Sequence, residues 1–202
     1  MMDANEAAAK AAWIHRVAEI AFLEAADILG CIEALEASNQ PDVLVSLNNA
    51  KAARAAGLVQ RALFGRLMLG VMTAYDPVKS KGDLHLKVGM DLVAEQIPRM
   101  VILQRGGNLE DIEAAERLWA ECLDFEPLGR LRNYRNKLVA HLSISVMEEP
   151  INSELFELAR MTAKVAELLA NGVGVSVTTV SLESEVIPFR DSSRAFWAPW
   201  KP

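Results

Sequence analysis

The chain holds 202 residues, enough for one domain and too few for two of ordinary size. Hydrophobic residues make up 51% of it and aromatics only 6%, so the apolar content is mainly Ala, Leu, Val and Met, a mixture that favours helices. A net charge of −6 and a pI near 5.2 exclude a protein that coats nucleic acid by bulk charge, but leave room for a local basic site.

A mean hydropathy of +0.14 is high for a soluble monomer and points to apolar surface buried against a second copy. The N-terminus, MMDANEAAAK, lacks the basic and apolar regions of a signal peptide. No window of about 20 residues is free of charges or helix-breaking clusters. The expected setting is therefore cytoplasmic, with no membrane span. Cys31 and Cys122 fall in helical patterns and read as reduced, buried thiols.

In chain order, Trp13, Ile14, Val17, Ile20, Ala21 and Leu23 recur at helical spacing. They predict a first helix from Asp3 or Asn5 to about Ala37, ended by SNQP. A second helix is expected over Asp42–Ala74, with Leu58, Ala62, Leu63, Leu67 and Val71 apolar. Gly57, Gly65 and Gly70 inside it mark close contacts or a kink. AYDPVKSKGD is a loop by its Pro, Gly and Ser content. A shorter helix, Leu84–Gln96, then breaks at Pro98. Asn108 caps an acidic helix, and Pro127 opens the next one, which runs to about Ile144. A further helix starts at Asn152 or Ser153 and stops at Asn171–Gly172. Met68, Met72 and Met90 read as core or interface fillers.

Beyond that the character changes. GVSVTTVSLES is β-branched and reads as extended or a short strand. VIPFRDSSRAFWAPWKP reads as an irregular tail whose Trp197 and Trp200 dock on the body or on a partner. The expected fold is all-α: an antiparallel bundle of about five to six helices over residues 1–172, followed by an extended or irregular tail over residues 173–202.

The sharpest charge feature is a switch. NLEDIEAAERLWAECLDFE is strongly acidic, and GRLRNYRNK after it carries four positive residues and no negative one. The segment LRNYRNKLVAHLS also forms an apolar stripe. With ~100° per residue, Leu128, Leu131 and Leu142 fall within about 80° of Leu138. Arg135 lies inside that stripe at about +60°, and His141 at about −60°, some 9 Å further along the axis. An arginine in a leucine stripe must snorkel out, pair with a carboxylate or await an anion. If the stripe packs on its own copy across a two-fold axis, Arg135 of one chain approaches His141 of the other. The plainer alternative is a structural pair, with Arg135 bridged to the acidic helix and His141 hydrogen-bonded. His15 reads as structural and His85 as exposed.

RNKLVAH, Arg135 to His141, resembles the signature of the HEPN superfamily, an arginine followed by a polar residue and then a histidine. The longer YRNKLVAHL resembles the branch found in phage abortive-infection systems, and QRALFGRLM and YDP upstream are compatible with it over roughly residues 5 to 172. The resemblance implies a homodimeric, metal-independent ribonuclease acting in phage defence or as a toxin, with RNA as substrate, no cofactor and a protein inhibitor or antitoxin to restrain it. His141 would be the general acid or base, and Arg135 would hold the phosphate. Asn136 would orient these groups, and Arg130, Arg132, Tyr134 and Lys137 would contact RNA. Some members carry a tyrosine three residues after the histidine, modified by a partner nucleotidyltransferase; here Ile144 stands there. The alternative is a non-catalytic helical module that binds a partner protein or a nucleotide.

Overall fold

The computed structural model describes residues 4–80, 82–141, 152–175 and 181–200. Among these residues it contains nine α-helices, a closing 3₁₀ turn and no strand, more helices than the five to six expected. They are α1 (Ala4–Ser38), α2 (Pro41–Asn49), α3 (Ala53–Thr73), α4 (Leu86–Val93), α5 (Gln96–Gln104), α6 (Leu109–Asp124), α7 (Leu128–His141), α8 (Asn152–Val173) and α9 (Leu182–Trp197).

α1 and α8 form the spine. Glu36 of α1 meets Arg160 of α8 at 2.6 Å, and Val17 and Leu169 meet near Gly89, so the two helices run antiparallel. α8 buries Leu155, Leu158, Ala163, Val165, Ala166 and Leu169 against α1 and α6. α6 opens at Asn108, whose side chain accepts from the Glu110 amide as the sequence predicts. Its Ile112 packs on Gly172, where α8 ends. The stop lies slightly later than expected: Gly174, at φ 73°, takes the left-handed position that closes the helix. Cys31 and Cys122 are free and buried, and Met68, Met72 and Met90 are core residues.

Four expectations need correction. The long second helix is two helices, because Lys51 adopts φ 57° and the Ala52 amide turns back to the Leu47 carbonyl. Pro98 does not break a helix; it lies in the first turn of α5, where its missing N–H has no helical partner to lose. The tail is helical over Leu182–Trp197. Ser181 caps α9 through the Ser184 amide, and Pro188 is accommodated within it. Leu182, Val186 and Trp197 are buried and Phe189 lies over Gly30, while Arg190 pairs with Glu33 at 2.9 Å. Trp197 docks on the chain itself, against Val43, Leu47 and Ala56. Of the three α3 glycines only Gly70 makes a close contact, beneath Glu24 and Arg66. The extended reading of GVSVTTVSLES falls partly on residues 176–180, outside the described residues, and its end belongs to α9.

By length and composition α3 is apolar enough to cross a membrane, although Arg61 and Arg66 lie along it. It packs on the core through Leu67, Met68, Val71 and Met72.

Gly89 of α4 sits where α1 and α8 close on it: a Cβ would stand 2.9 Å from Val17 Cγ1 and 3.1 Å from Leu169 Cδ2. Gly89→Leu is expected to lower stability by about 1–3 kcal/mol in urea unfolding. Gly65→Ala, where a Cβ meets open space, is expected to raise it by up to about 1 kcal/mol.

Candidate functional site

α7 runs without interruption from Leu128 to His141, so the helical arithmetic that separates Arg135 from His141 holds along its backbone. The expected continuation to Ile144 and the side chain of His141 lie outside the described residues. Leu128 and Leu131 are buried, at 7% and 0% exposure, against the chain's own core. The described half of the leucine stripe is therefore spent within the chain and not on a second copy.

Arg135, one turn beyond Leu131, shares that inward side and meets a carboxylate. Its two terminal nitrogens donate to Asp76, Nη2 to Oδ1 at 2.6 Å and Nη1 to Oδ2 at 3.0 Å. The Arg135 side chain is 16% exposed and that of Asp76 23%. This fork resolves the cost of an arginine in an apolar stripe. The partner comes from the loop after α3, and not from the acidic α6. One hydrogen on each terminal nitrogen remains beyond those given to Asp76, and the buried Nε–H has no acceptor.

Asp76 is delivered by its neighbour. The Tyr75 ring stacks on Trp119 of α6 at 4.9 Å and 4°, and its hydroxyl lies 2.5 Å from that of Thr162 in α8. Tyr75 is 3% exposed, so the chain leaving α3 is pinned to α6 and α8 one residue before Asp76. The arrangement joins α3, α6, α7 and α8 at one point. Burial pushes the Tyr75 phenol well above its ordinary value. The Arg135 guanidinium holds the Asp76 carboxyl below the usual range against its partial burial, and Lys79 and His85 act in the same direction.

The other expected residues divide into two groups. Asn136 and Lys137 are exposed. Arg130 is exposed and pairs with Glu154 of α8, while Arg132 points towards the Tyr75 carbonyl at 3.5 Å. Tyr134 is half-buried, edge-on to Phe64 at 6.1 Å. The basic run is thus partly neutralised, but by Glu154 and Asp76; Glu116 of α6 instead pairs with Arg99. His15 is exposed. His85 is not: its side chain is only 11% accessible, because the α3–α4 loop folds it inward. Among the described residues no three His, Cys, Asp or Glu side chains converge as a metal site would require.

Sequence reasoning missed the role of Asp76. The YDP string was visible, but 59 residues separate Asp76 from Arg135 and no local period connects them.

Asp76→Asn keeps the shape and removes the charge. It is expected to cost about 1–2 kcal/mol, less than a fully buried pair because both groups keep some solvent contact. The folded pKa of Asp76 is depressed, so the ion pair contributes fully above the unfolded value. The contribution is lost as pH falls through the folded one. The stability gap between wild type and Asp76→Asn should therefore be flat from neutrality to about pH 4 and close below it, as read by chemical unfolding at each pH.

An all-helical bundle with arginine, asparagine and histidine in RNKLVAH on one helix has the organisation of a HEPN-type domain. The chain belongs to the AbiU2 family of HEPN domains (HEPN_AbiU2), whose sequence model matches residues 6–182. This family is associated with abortive infection, and the chain is a HEPN-type module of that kind. The match ends at the first residue of α9. No curated protein and no solved structure matches the chain.

Proposed function

We propose that the protein is a metal-independent endoribonuclease acting in phage defence or as a toxin, with its site shared across a homodimer. The observation that carries this reading is the Arg135 guanidinium. It is oriented by Asp76 on one edge and retains hydrogen-bond donors for a phosphate, beside the exposed Asn136 and Lys137. On one continuous helix Arg135 and His141 stand about 9 Å apart axially and on different sides. A second copy is what brings a histidine to an arginine. With Leu128 and Leu131 already buried within the chain, the second copy would meet Arg135 at the edge that its pairing with Asp76 leaves open, and not through the leucine stripe.

The step needs no cofactor. His141 takes the proton from an RNA 2′-hydroxyl, and the resulting oxygen attacks the adjacent phosphorus. The P–O5′ bond breaks and the leaving oxygen takes a proton from solvent water, and the His141 imidazolium returns its proton to the hydroxide so formed. The products are a 2′,3′-cyclic phosphate and a 5′-hydroxyl. Arg135 stabilises charge on the non-bridging oxygens, and Asn136 orients the phosphate by hydrogen bonds. Arg132, Arg130, Lys137 and Tyr134 lie along the same helix to contact the RNA strand. A protein inhibitor would restrain such an activity, and the expected place of action is the cytoplasm.

The test is incubation of the purified protein with single-stranded RNA in excess EDTA. Cleavage leaving cyclic-phosphate ends, and none on a strand whose 2′-hydroxyls are replaced by hydrogen, is the expected result. Cleavage of the deoxy strand, or none of the RNA, overturns the proposal.

The two-pronged pairing of Arg135 with Asp76 favours one other reading: a binding module in which that pair is purely structural and no cleavage exists to lose. The Asp76→Asn variant separates the two. A positioning role predicts weakened cleavage as well as weakened stability, and a structural role predicts the stability change alone.

A further inference from the structure

A cavity of about 490 Å³ opens between α1, α3, α8 and the loop leading into α4. Its volume falls in the range of small-molecule sites, and a packed interior does not leave such a space. Aliphatic side chains make most of its wall, among them Ile20, Ile28, Leu69 and Ala166.

The charges around it are already satisfied. Arg66 gives both terminal nitrogens to Glu24, at 2.5 and 2.8 Å, and reaches Asp27 at 3.3 Å. Asp83 accepts from the Ser80 hydroxyl at 2.7 Å and from the Lys79 and Ser80 amides, which hold its carboxyl down at about 2. An anion would face the carboxylates of Glu24 and Asp83, and a cation the Arg66 guanidinium, so an uncharged ligand suits this wall best.

His85 is different. Among the described residues neither ring nitrogen has a hydrogen-bond partner, and both are shielded from solvent. The nearest carboxylate oxygen, Asp83 Oδ2, is 3.9 Å from Nε2, beyond hydrogen-bond reach. A buried imidazole left in this state is costly. Because the nitrogens are covered, the 11% of the side chain still accessible is carbon. Half a turn about Cβ–Cγ exchanges the carbon and nitrogen positions and offers a nitrogen to an occupant of the cavity.

We propose that this cavity binds a small, uncharged heteroaromatic molecule, its faces against the aliphatic walls of α1 and α3 and one polar ring atom bonded to the His85 imidazole. A flat ring with a polar edge suits both kinds of lining. The site is separate from Arg135, and its test does not depend on RNA cleavage.

The test uses the full chain with benzimidazole at neutral pH, read by isothermal titration and by the His85 Cε1–H resonance. The wild type should bind saturably and shift that resonance. His85→Phe keeps the volume and removes the nitrogens; it should weaken binding by about tenfold, the worth of one hydrogen bond. Leu69 is 41% exposed at the rim, so Leu69→Trp should fold normally and obstruct entry, with an equal or larger loss. Absence of saturable binding to the wild type, or undiminished binding by either folded variant, overturns the proposal.

Discussion

Arg135→Ala and His141→Ala should each lower RNA cleavage by about 10²- to 10³-fold while leaving the chain folded. Arg135→Lys should fall nearly as far, because a single ammonium cannot grip both Asp76 oxygens and still present a flat pair of donors to a phosphate. Mixing the two alanine variants gives the decisive measurement. If each site takes its arginine from one chain and its histidine from the other, a mixed dimer contains one site lacking both and one site retaining both. Random pairing should then restore about a quarter of wild-type cleavage. Two inactive proteins that remain inactive together would show that the site is not shared between chains.

The largest effect on stability is expected at Tyr75. Tyr75→Ala should cost about 3–5 kcal/mol in urea unfolding, since it removes a buried ring stacked on Trp119 and leaves a cavity between α6 and α8. Tyr75→Phe should cost only about 1 kcal/mol, because the Thr162 hydroxyl still donates to the Leu158 carbonyl at 2.7 Å. Burial raises the folded pKa of Tyr75, so its contribution is complete below the unfolded value and declines above it. The wild type should therefore lose stability relative to Tyr75→Phe above about pH 10. Tyr75→Ala also frees Asp76 from its anchor. Its cleavage should fall even at temperatures where the chain remains folded, which separates placement of Arg135 from bulk stability.

Several parts of the site could be read from residues alone. The stripe through Leu128 and Leu131, the arginine embedded in it and the cap at Asn108 all follow from contacts three or four residues apart, which a sequence displays directly. The acidic-to-basic switch also held a warning, because it pointed to α6 as the neutralising partner of α7. The structure uses Asp76 and Glu154 instead, since a helix that follows its neighbour after a short turn does not thereby face it with its charged side.

By itself the sequence determined the all-helical class, the position of α1, α6, α7 and α8, and the family motif on α7, because each rests on a period or a cap within a few residues. Only tertiary structure decided the rest. Lys51 bends the chain between α2 and α3 without glycine or proline. α9 remains helical through Pro188 because Leu182, Val186, Phe189 and Trp197 find cover on α1 and α2. Asp76 reaches Arg135 because Tyr75 is pinned between α6 and α8. These outcomes depend on energies between groups far apart in the chain, and local propensities of well under 1 kcal/mol per residue give way to them.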